Sequence, residues 1–226
     1  MTERLPRACP GYDPGCRDCP RLAAHLDAVR ARHPDYHARP VAPFGSARVR
    51  LLVVGLAPGM HGANRTGRPF TGDHAGLLLY RTLHRFGFAS RPESAGAGDG
   101  LRLIACRITN AVKCLPPANK PLPEEVARCN RHLAAEIADL RPRALLALGA
   151  IAHGAVLRAL VLRPSAFRFA HHAVHDLPRG PFVPDGARLF DSYHCSRYNT
   201  QTRRLTEAMF AAVLRDLSTF LNGAAR

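Results

Sequence analysis

The sequence predicts an α/β fold in which a parallel sheet carries helices on both faces. Three observations predict it. Four apolar runs of strand length, Val49 to Val54, Leu101 to Thr109, Ala144 to Leu148 and Arg188 to Tyr193, alternate with segments of helical periodicity. The first run empties into a stretch with six glycines from Gly55 to Gly76, the kind of loop that leaves the carboxyl end of a strand at a ligand site. A chain of 226 residues, 46% hydrophobic and 22% charged, suffices for one domain with a sizeable core. No internal repeat or second domain is visible, so residues 1–226 read as a single domain.

Residues 1–20 form an irregular basic arm, rich in proline and bearing Cys9, Cys16 and Cys19. Arg21 to Arg32 has helical periodicity, with Leu22, His25, Leu26 and Val29 on one face. His33 to Ser46 is a Pro-rich loop ahead of the first strand. After the glycine-rich loop, His74 to Phe86 reads as a helix with Asp73 at its N-cap position. Ala89 to Gly100 is a Ser-, Gly- and Pro-rich connection to the second strand. That strand leads into Asn110-Ala111-Val112-Lys113-Cys114 and a Pro-rich loop, Leu115 to Pro123. Pro123-Glu124-Glu125 signals a helix start, and Arg141-Pro142 its end. Gly149 opens the helix after the third strand, and Arg163 to Gly186 is loop-rich with room for a hairpin. The fourth strand delivers His194-Cys195-Ser196-Arg197-Tyr198-Asn199, and a helix from Leu205 to Leu221 follows.

Thirty-two Lys and Arg against 17 Asp and Glu give a formal charge of +15. Such an excess points to a polyanionic partner, because cationic surface draws nucleic acid by releasing condensed counterions. Met1 to Pro20 is polar and does not read as a signal peptide. The apolar region Ala144 to Leu162 is interrupted by His153 and Arg158 and falls short of a membrane span. A soluble, cytoplasmic monomer is expected.

Seven cysteines in a reducing compartment point to metal or cluster ligation rather than disulfides. Cys16-x2-Cys19 and Cys114-x14-Cys129 make two pairs, and four thiolates suit either tetrahedral zinc or a 4Fe–4S cluster. Zinc ribbons have short spacings in both halves, so the longer gap leans towards iron–sulfur. The bland alternative is that Cys114 and Cys129 are ordinary buried thiols. Cys106 reads as a core residue of the second strand, and Cys9 and Cys195 are left over.

The glycine-rich loop lacks Gly-Lys-Ser/Thr, and its glycines do not fit a dinucleotide fingerprint, which disfavours a phosphate-binding hydrolase. Phe70, Asn64 and Asp73 within it suit a pocket for a flat polar ring: an aromatic face can stack and the backbone can approach the ring edge.

Gly55-Leu56-Ala57-Pro58-Gly59, followed by His61-Gly62-Ala63-Asn64-Arg65-Thr66-Gly67-Arg68-Pro69-Phe70-Thr71-Gly72-Asp73, resembles the first motif of the type b (family 5) uracil-DNA glycosylases. Thr109-Asn110-Ala111-Val112-Lys113-Cys114-x-Pro-Pro resembles the middle segment of the iron–sulfur members of that superfamily. Ser192-Tyr193-His194-Cys195-Ser196-x-x-Asn199-Thr200-x-Thr202-x-x-Leu205 resembles the second motif. Cys195 stands where the family usually has proline and Arg203 where it usually has glycine, both in the loop expected to enter DNA. The resemblance implies a three-layer α/β/α fold around a four-stranded parallel sheet. It also implies a 4Fe–4S cluster on Cys16, Cys19, Cys114 and Cys129, expected to clamp the N-terminal arm rather than to act in redox chemistry.

The resemblance further implies a monofunctional DNA-repair glycosylase. It would hydrolyse the N-glycosidic bond of uracil in duplex DNA, with a range of deaminated bases that includes hypoxanthine. The base would be flipped out of the stack, and cleavage would be dissociative with no covalent enzyme intermediate. Phe70 would stack on the extruded ring; core packing is its bland alternative. Asn110, just past the second strand, would read the Watson–Crick edge; a turn-forming asparagine is the alternative. The backbone at Ala57, Pro58 and Gly59 would add polar contacts, and Asn64 would order the loop or support the site. His194, at the end of the fourth strand, would donate to the departing base as charge builds on its carbonyl oxygen.

Many glycosylases carry a water-orienting polar residue where this chain has Ala57, and a methyl group cannot orient water. Asp73 is the nearest group in sequence that could do so, or could stabilise the oxocarbenium-like sugar, alongside a cap role. Lys113, Lys120, Ser196, Arg197, Asn199 and Arg203 flank the two loops as candidate DNA contacts. A non-catalytic iron–sulfur nucleic-acid-binding protein on the same scaffold is the competing expectation, and the departures at Cys195 and Arg203 are what favour it.

Overall fold

A computed structural model describes residues 12–223; Cys9 and the rest of residues 1–11 lie outside the described residues. Six strands form one sheet: β1 (Phe44–Gly45), β2 (Leu51–Gly55), β3 (Cys106–Asn110), β4 (Ala144–Leu148), β5 (Val174–Asp176) and β6 (Arg188–Ser192). Their spatial order is β1-β3-β2-β4-β6-β5. The four central strands are parallel, and β1 and β5 pair antiparallel at the two edges. The expected four-stranded sheet is therefore corrected to six strands. The additions are too short to show a period of two, and β1 arises inside a Pro-rich segment. Gly45 is what lets β1 lie against β3: its φ is +142°, and a Cβ there would stand 2.4 Å from the Cys106 carbonyl oxygen.

Among the described residues, seven α-helices complete the fold: α1 (Pro20–Arg32), α2 (Ala63–Thr66), α3 (His74–Arg85), α4 (Pro123–Leu140), α5 (Ala150–Ala159), α6 (Arg197–Gln201) and α7 (Glu207–Gly223). Both faces of the central strands are buried, which is why they read as continuous apolar runs rather than alternating ones. Leu51 and Val53 of β2 pack with Leu79 and Leu83 of α3 and Phe210 and Leu214 of α7. Leu52 and Val54 pack on the other side with Leu133 and Ile137 of α4 and Val156 of α5. The result is a three-layer α/β/α arrangement.

The second strand starts later than the sequence predicts, because Ala105 takes a left-handed φ of +48° and turns the chain just before Cys106. Upstream, Leu103 forms an isolated bridge with Ala89 instead of joining the sheet. Helix α1 buries Leu22, Ala23, Leu26 and Val29. Arg21 grips Glu125 through two guanidinium nitrogens at 2.9 and 2.7 Å, joining the start of α1 to the first turn of α4. Glu125 also accepts from the Leu122 amide at 2.8 Å, so one carboxylate caps α4 and anchors α1.

Register decides where the chemistry lies. Gly55 pairs with Asn110 and Leu148 with Ser192, so the carboxyl ends of β2, β3, β4 and β6 finish together. The loops carrying the three sequence motifs all leave from this edge.

Candidate active site

At this edge the loops enclose an open cleft of about 650 Å³. Its floor is built by an absence. A Cβ on Gly55 would meet the Asn110 Oδ1 at 2.5 Å and the Phe70 ring at 2.7 Å, so only glycine lets those side chains sit side by side. Phe70 has a left-handed φ of +56°, and its carbonyl oxygen would lie 1.9 Å from a Cβ at Gly76. Glycines at both ends of the loop thus aim one aromatic ring. Phe70 is buried within the α3–α7 core and also lines the cleft, so the packing and the stacking readings describe two faces of one ring.

Asn110 is buried, and its Oδ1 has no hydrogen-bond partner. A buried acceptor without a partner costs about 1–3 kcal/mol, which makes it an acceptor available to a ligand. Behind it, the Lys113 Nζ donates to the Asn110 carbonyl at 3.0 Å and to the Thr109 hydroxyl. Lys113 also pairs with Glu136 at 3.5 Å, and Glu136 meets Arg107 at 3.1 Å. This corrects the expectation for Lys113: it is buried and braces the strand end that carries Asn110, instead of facing a phosphate.

His194 lies across the cleft, its ring centroid 5.8 Å from that of Phe70. Burial pulls its imidazole down to about 4, so the ring is neutral at pH 7. A neutral imidazole still donates one N–H. Its backbone is held from below, where the Asn199 Nδ2 donates to the His194 carbonyl at 2.8 Å. Ser196 caps α6 by accepting the Asn199 amide at 3.4 Å, and it also lines the cleft. Asn199 therefore braces its own loop through Nδ2.

Asp73 caps α3, with Oδ1 accepting the Gly76 amide at 3.2 Å. Its second oxygen faces the first-motif glycines: a Cβ on Gly62 would come to 2.4 Å of Oδ2, and one on Gly59 to 3.4 Å. The cap thus uses Oδ1 and leaves Oδ2 turned towards Gly62. Asp73 is exposed and lines both this cleft and a neighbouring one bounded by Arg65 and Arg91. Partial desolvation still raises its pKa against the Gly76 and Ala75 amides and His74, which lower it. His74 then bridges the two motif loops, its Nε2 lying 2.9 Å from the Thr200 hydroxyl.

Ala57 and Gly59 line the wall, whereas Pro58 is buried and does not. Asn64 is fully buried with neither amide atom partnered, and it is not among the cleft-lining residues. Lys120, Arg197 and Arg203 are exposed, as phosphate contacts must be. Cys195 is buried in the α3–α7 core, so it does not reach the DNA-facing surface. Arg203 has a φ of +57°, the left-handed geometry that suits the glycine usual at this position.

Sequence reasoning missed eight lining residues, of which Met60, His61, His74 and Asn119 bring the larger or polar side chains. The first three lie in or beside the first motif and were within reach. Asn119 arrives from the Pro-rich loop with a φ of +56°, and no pattern announces it. Tyr198, 70% exposed on α6 beside Arg197, was also passed over.

A second, enclosed cavity lies between the N-terminal arm, the loop after β3 and α4. Cys16, Cys19, Cys114 and Cys129 all line it, although two of them are far from the other two in sequence. Burial raises the Cys19, Cys114 and Cys129 thiols, Cys114 to about 12, and neighbouring sulfurs raise them further. Together with Cys16 they make a four-sulfur donor set of the kind that suits zinc or an iron–sulfur cluster.

Residues 42–218 match the family described as the Uracil DNA glycosylase superfamily. The chain is 49% identical over 205 residues to a type-5 uracil-DNA glycosylase of Thermus thermophilus, covering 88% of this chain and 90% of the relative. It is 42% identical over 204 residues to a type-5 uracil-DNA glycosylase of Pyrobaculum aerophilum, covering 88% and 86%. A type-4 uracil-DNA glycosylase of Thermotoga maritima is 38% identical over 109 residues, about half of each chain, 48% and 49%.

Proposed function

This chain belongs to the uracil DNA glycosylase superfamily, and we propose that it is a DNA-repair glycosylase that removes uracil from duplex DNA. The observation that carries the reading is the Asn110 Oδ1: a buried, unpartnered acceptor beside an aromatic face and across from a neutral histidine. Uracil offers a matching edge, with an N3–H to give to Oδ1 and O4 to accept from the amide nitrogen. Hypoxanthine carries the same N–H beside a carbonyl, so the same amide would accept it.

The reaction follows from where charge develops. The C1′–N1 bond breaks with its electron pair leaving on the base, and water supplies hydroxyl to the sugar and a proton to the departing pair. The products are free uracil and an abasic strand. Phe70 holds the ring, and the neutral His194 N–H donates to O2 as the anion forms. The Asp73 oxygen over Gly59 and Gly62 stabilises the cationic sugar or orients water, which compensates for the methyl group at Ala57. Arg197, Arg203 and Lys120 would contact phosphates, and the exposed Tyr198 beside them suits the space that a flipped base vacates.

Cys16, Cys19, Cys114 and Cys129 would hold a 4Fe–4S cluster. The shared cavity supports this, as do the raised thiols of Cys19, Cys114 and Cys129, because cluster cations would offset thiolate repulsion. When bound, it would supply cross-linking rather than electron transfer, since glycosidic hydrolysis moves no electrons between centres. The binding-only alternative loses one of its two supports, because the departure at Cys195 is buried. Among the described residues, no helix is long and apolar enough to cross a membrane. A cytoplasmic monomer remains the proposal.

Single-turnover cleavage of a labelled duplex with one uracil opposite guanine tests the reading. Alkali-labile strand breaks with wild type should fall about 10²–10³-fold in His194→Ala, with DNA affinity nearly unchanged. Tight binding without any excision by the wild type would sink it.

A further inference from the structure

On the other face of the sheet from the cleft core, three residues converge that the glycosylase reading does not use. Asp191 of β6 is fully buried and shares its face with Leu189, towards α4 and α5. His153 of α5 places Nδ1 at 2.9 Å from the Asp191 Oδ1, and His175 of β5 places Nε2 at 3.1 Å from Oδ2. Their ligand atoms all lie within 4.8 Å of one another. The second nitrogen of His153 faces the Phe167 carbonyl at 2.9 Å. A carbonyl only accepts, so that nitrogen must carry the proton. In a neutral ring the Nδ1 lone pair would then point at a carboxylate oxygen, lone pair against lone pair. Something positive must stand between them: a proton, on the ring or on the carboxyl, or a metal ion.

We propose that His153, His175 and Asp191 form a site for a divalent metal ion of zinc's class. Two imidazole nitrogens and one carboxylate oxygen are a zinc donor set, with a water in the fourth position. Tetrahedral bonds of about 2.0–2.1 Å put ligand atoms about 3.3 Å apart. Each histidine nitrogen is already near that distance from one Asp191 oxygen, His153 from Oδ1 and His175 from Oδ2, and the set as a whole lies within 4.8 Å, so a small closure completes the site. The His153 N–H to the Phe167 carbonyl is the partner a metal-bound histidine needs, fixing the tautomer with Nδ1 free to ligate. Entry is past His175, the one member at the sheet edge with partial exposure. The ion would join α5, β5 and β6, and β6 runs directly into His194, so the site steadies the strand that presents the cleft histidine.

Isothermal titration of zinc chloride into the purified full-length protein tests this, with iron content assayed before and after so that exchange at the four cysteines is seen. The expected result is one zinc per chain at micromolar Kd or tighter, with iron unchanged. Zinc at about 100 times Kd should raise Tm by about 5–10 °C. His175→Ala, at the sheet edge, should weaken uptake by at least about 10–100-fold, and Asp191→Asn should do the same if it folds. No saturable uptake, or uptake unchanged in His175→Ala, would overturn the proposal and leave a proton between His153 and Asp191.

Discussion

The cleft and the cysteine cavity are both gathered from distant parts of the chain, and they are incomplete in opposite senses. In the cleft, the Asn110 amide oxygen is buried without a partner, His194 is a neutral imidazole, and Asp73 turns Oδ2 towards Gly62. These suit a ligand that both donates and accepts hydrogen bonds, and the opening lets it enter and leave. In the cysteine cavity, four cysteines share the lining, and burial with neighbouring sulfurs raises Cys19, Cys114 and Cys129, so positive charge would complete it. The two are also built differently. The cleft is shaped by glycines that leave room for side chains within one stretch. The cavity depends on long-range pairing, with Arg21 on Glu125 fastening the helix that follows Cys19 to the helix bearing Cys129. Under the proposed function, the first region would exchange its partner at each turnover and the second would make its partner part of the fold.

That contrast can be broken most directly at Cys129. Cys129→Ser should bleach the brown absorbance and lower Tm by about 10 °C, because energy of ligation is also energy of folding. His194→Ala should leave colour untouched. A Cys129→Ser protein with normal colour and Tm would make the cavity ordinary packing.

The cleft should show its own signature in acid. The folded state holds His194 at about 4 while the unfolded chain binds its proton near 6.5, so between those values the unfolded state carries more protons. Stability from this group is full above about pH 6.5 and is lost as pH falls towards 4, by up to about 3 kcal/mol. Denaturant melts from pH 7 to 4 should slope less steeply in His194→Gln; parallel slopes would contradict the burial of the ring.

Gly55→Ala sharpens the comparison in a smaller way. The added methyl must displace Asn110 or Phe70, an overpacking that costs about 1–3 kcal/mol. Excision should drop about tenfold or more while colour persists, measured by single turnover and by iron content. Unchanged excision would mean that the floor geometry is not what holds the base.

The smallest effect is expected at Arg203. Arg203→Gly should relieve a left-handed φ and gain about 1 kcal/mol, or about 2–4 °C in Tm. If Arg203 contacts a phosphate, the slope of log affinity against log salt should lessen by about 1. A variant that gains stability with an unchanged salt slope would remove Arg203 from the DNA-binding surface.

The four central strands, the five longer helices and the motif loops were legible because each carries its own local signal: a buried apolar run, a 3.6-residue period or a cluster of glycines. Asp73 could be read as a cap from its place before a helix. The two edge strands were not legible, since two or three residues have no period. Nor was the burial of Lys113, because charge says nothing of a Glu136 waiting on α4, 23 residues away. Asn199 likewise gave no sign that its loop folds its amide back onto His194.

What the sequence determined by itself is the set of elements, the order in which they occur and the chemical groups that each strand end delivers. These follow from local periodicity and backbone preference. Only the tertiary structure decided which groups keep a free valence. Asn110 ends with an unpartnered oxygen because Gly55 and Phe70 surround it, while Lys113, three residues on, spends its charge on Glu136. The same packing separated Cys195 from the DNA-facing loop and brought Asp191 between two histidines. Burial and partnership are properties of contacts between distant segments, and a residue's desolvation and pKa are set by those contacts rather than by its neighbours in sequence.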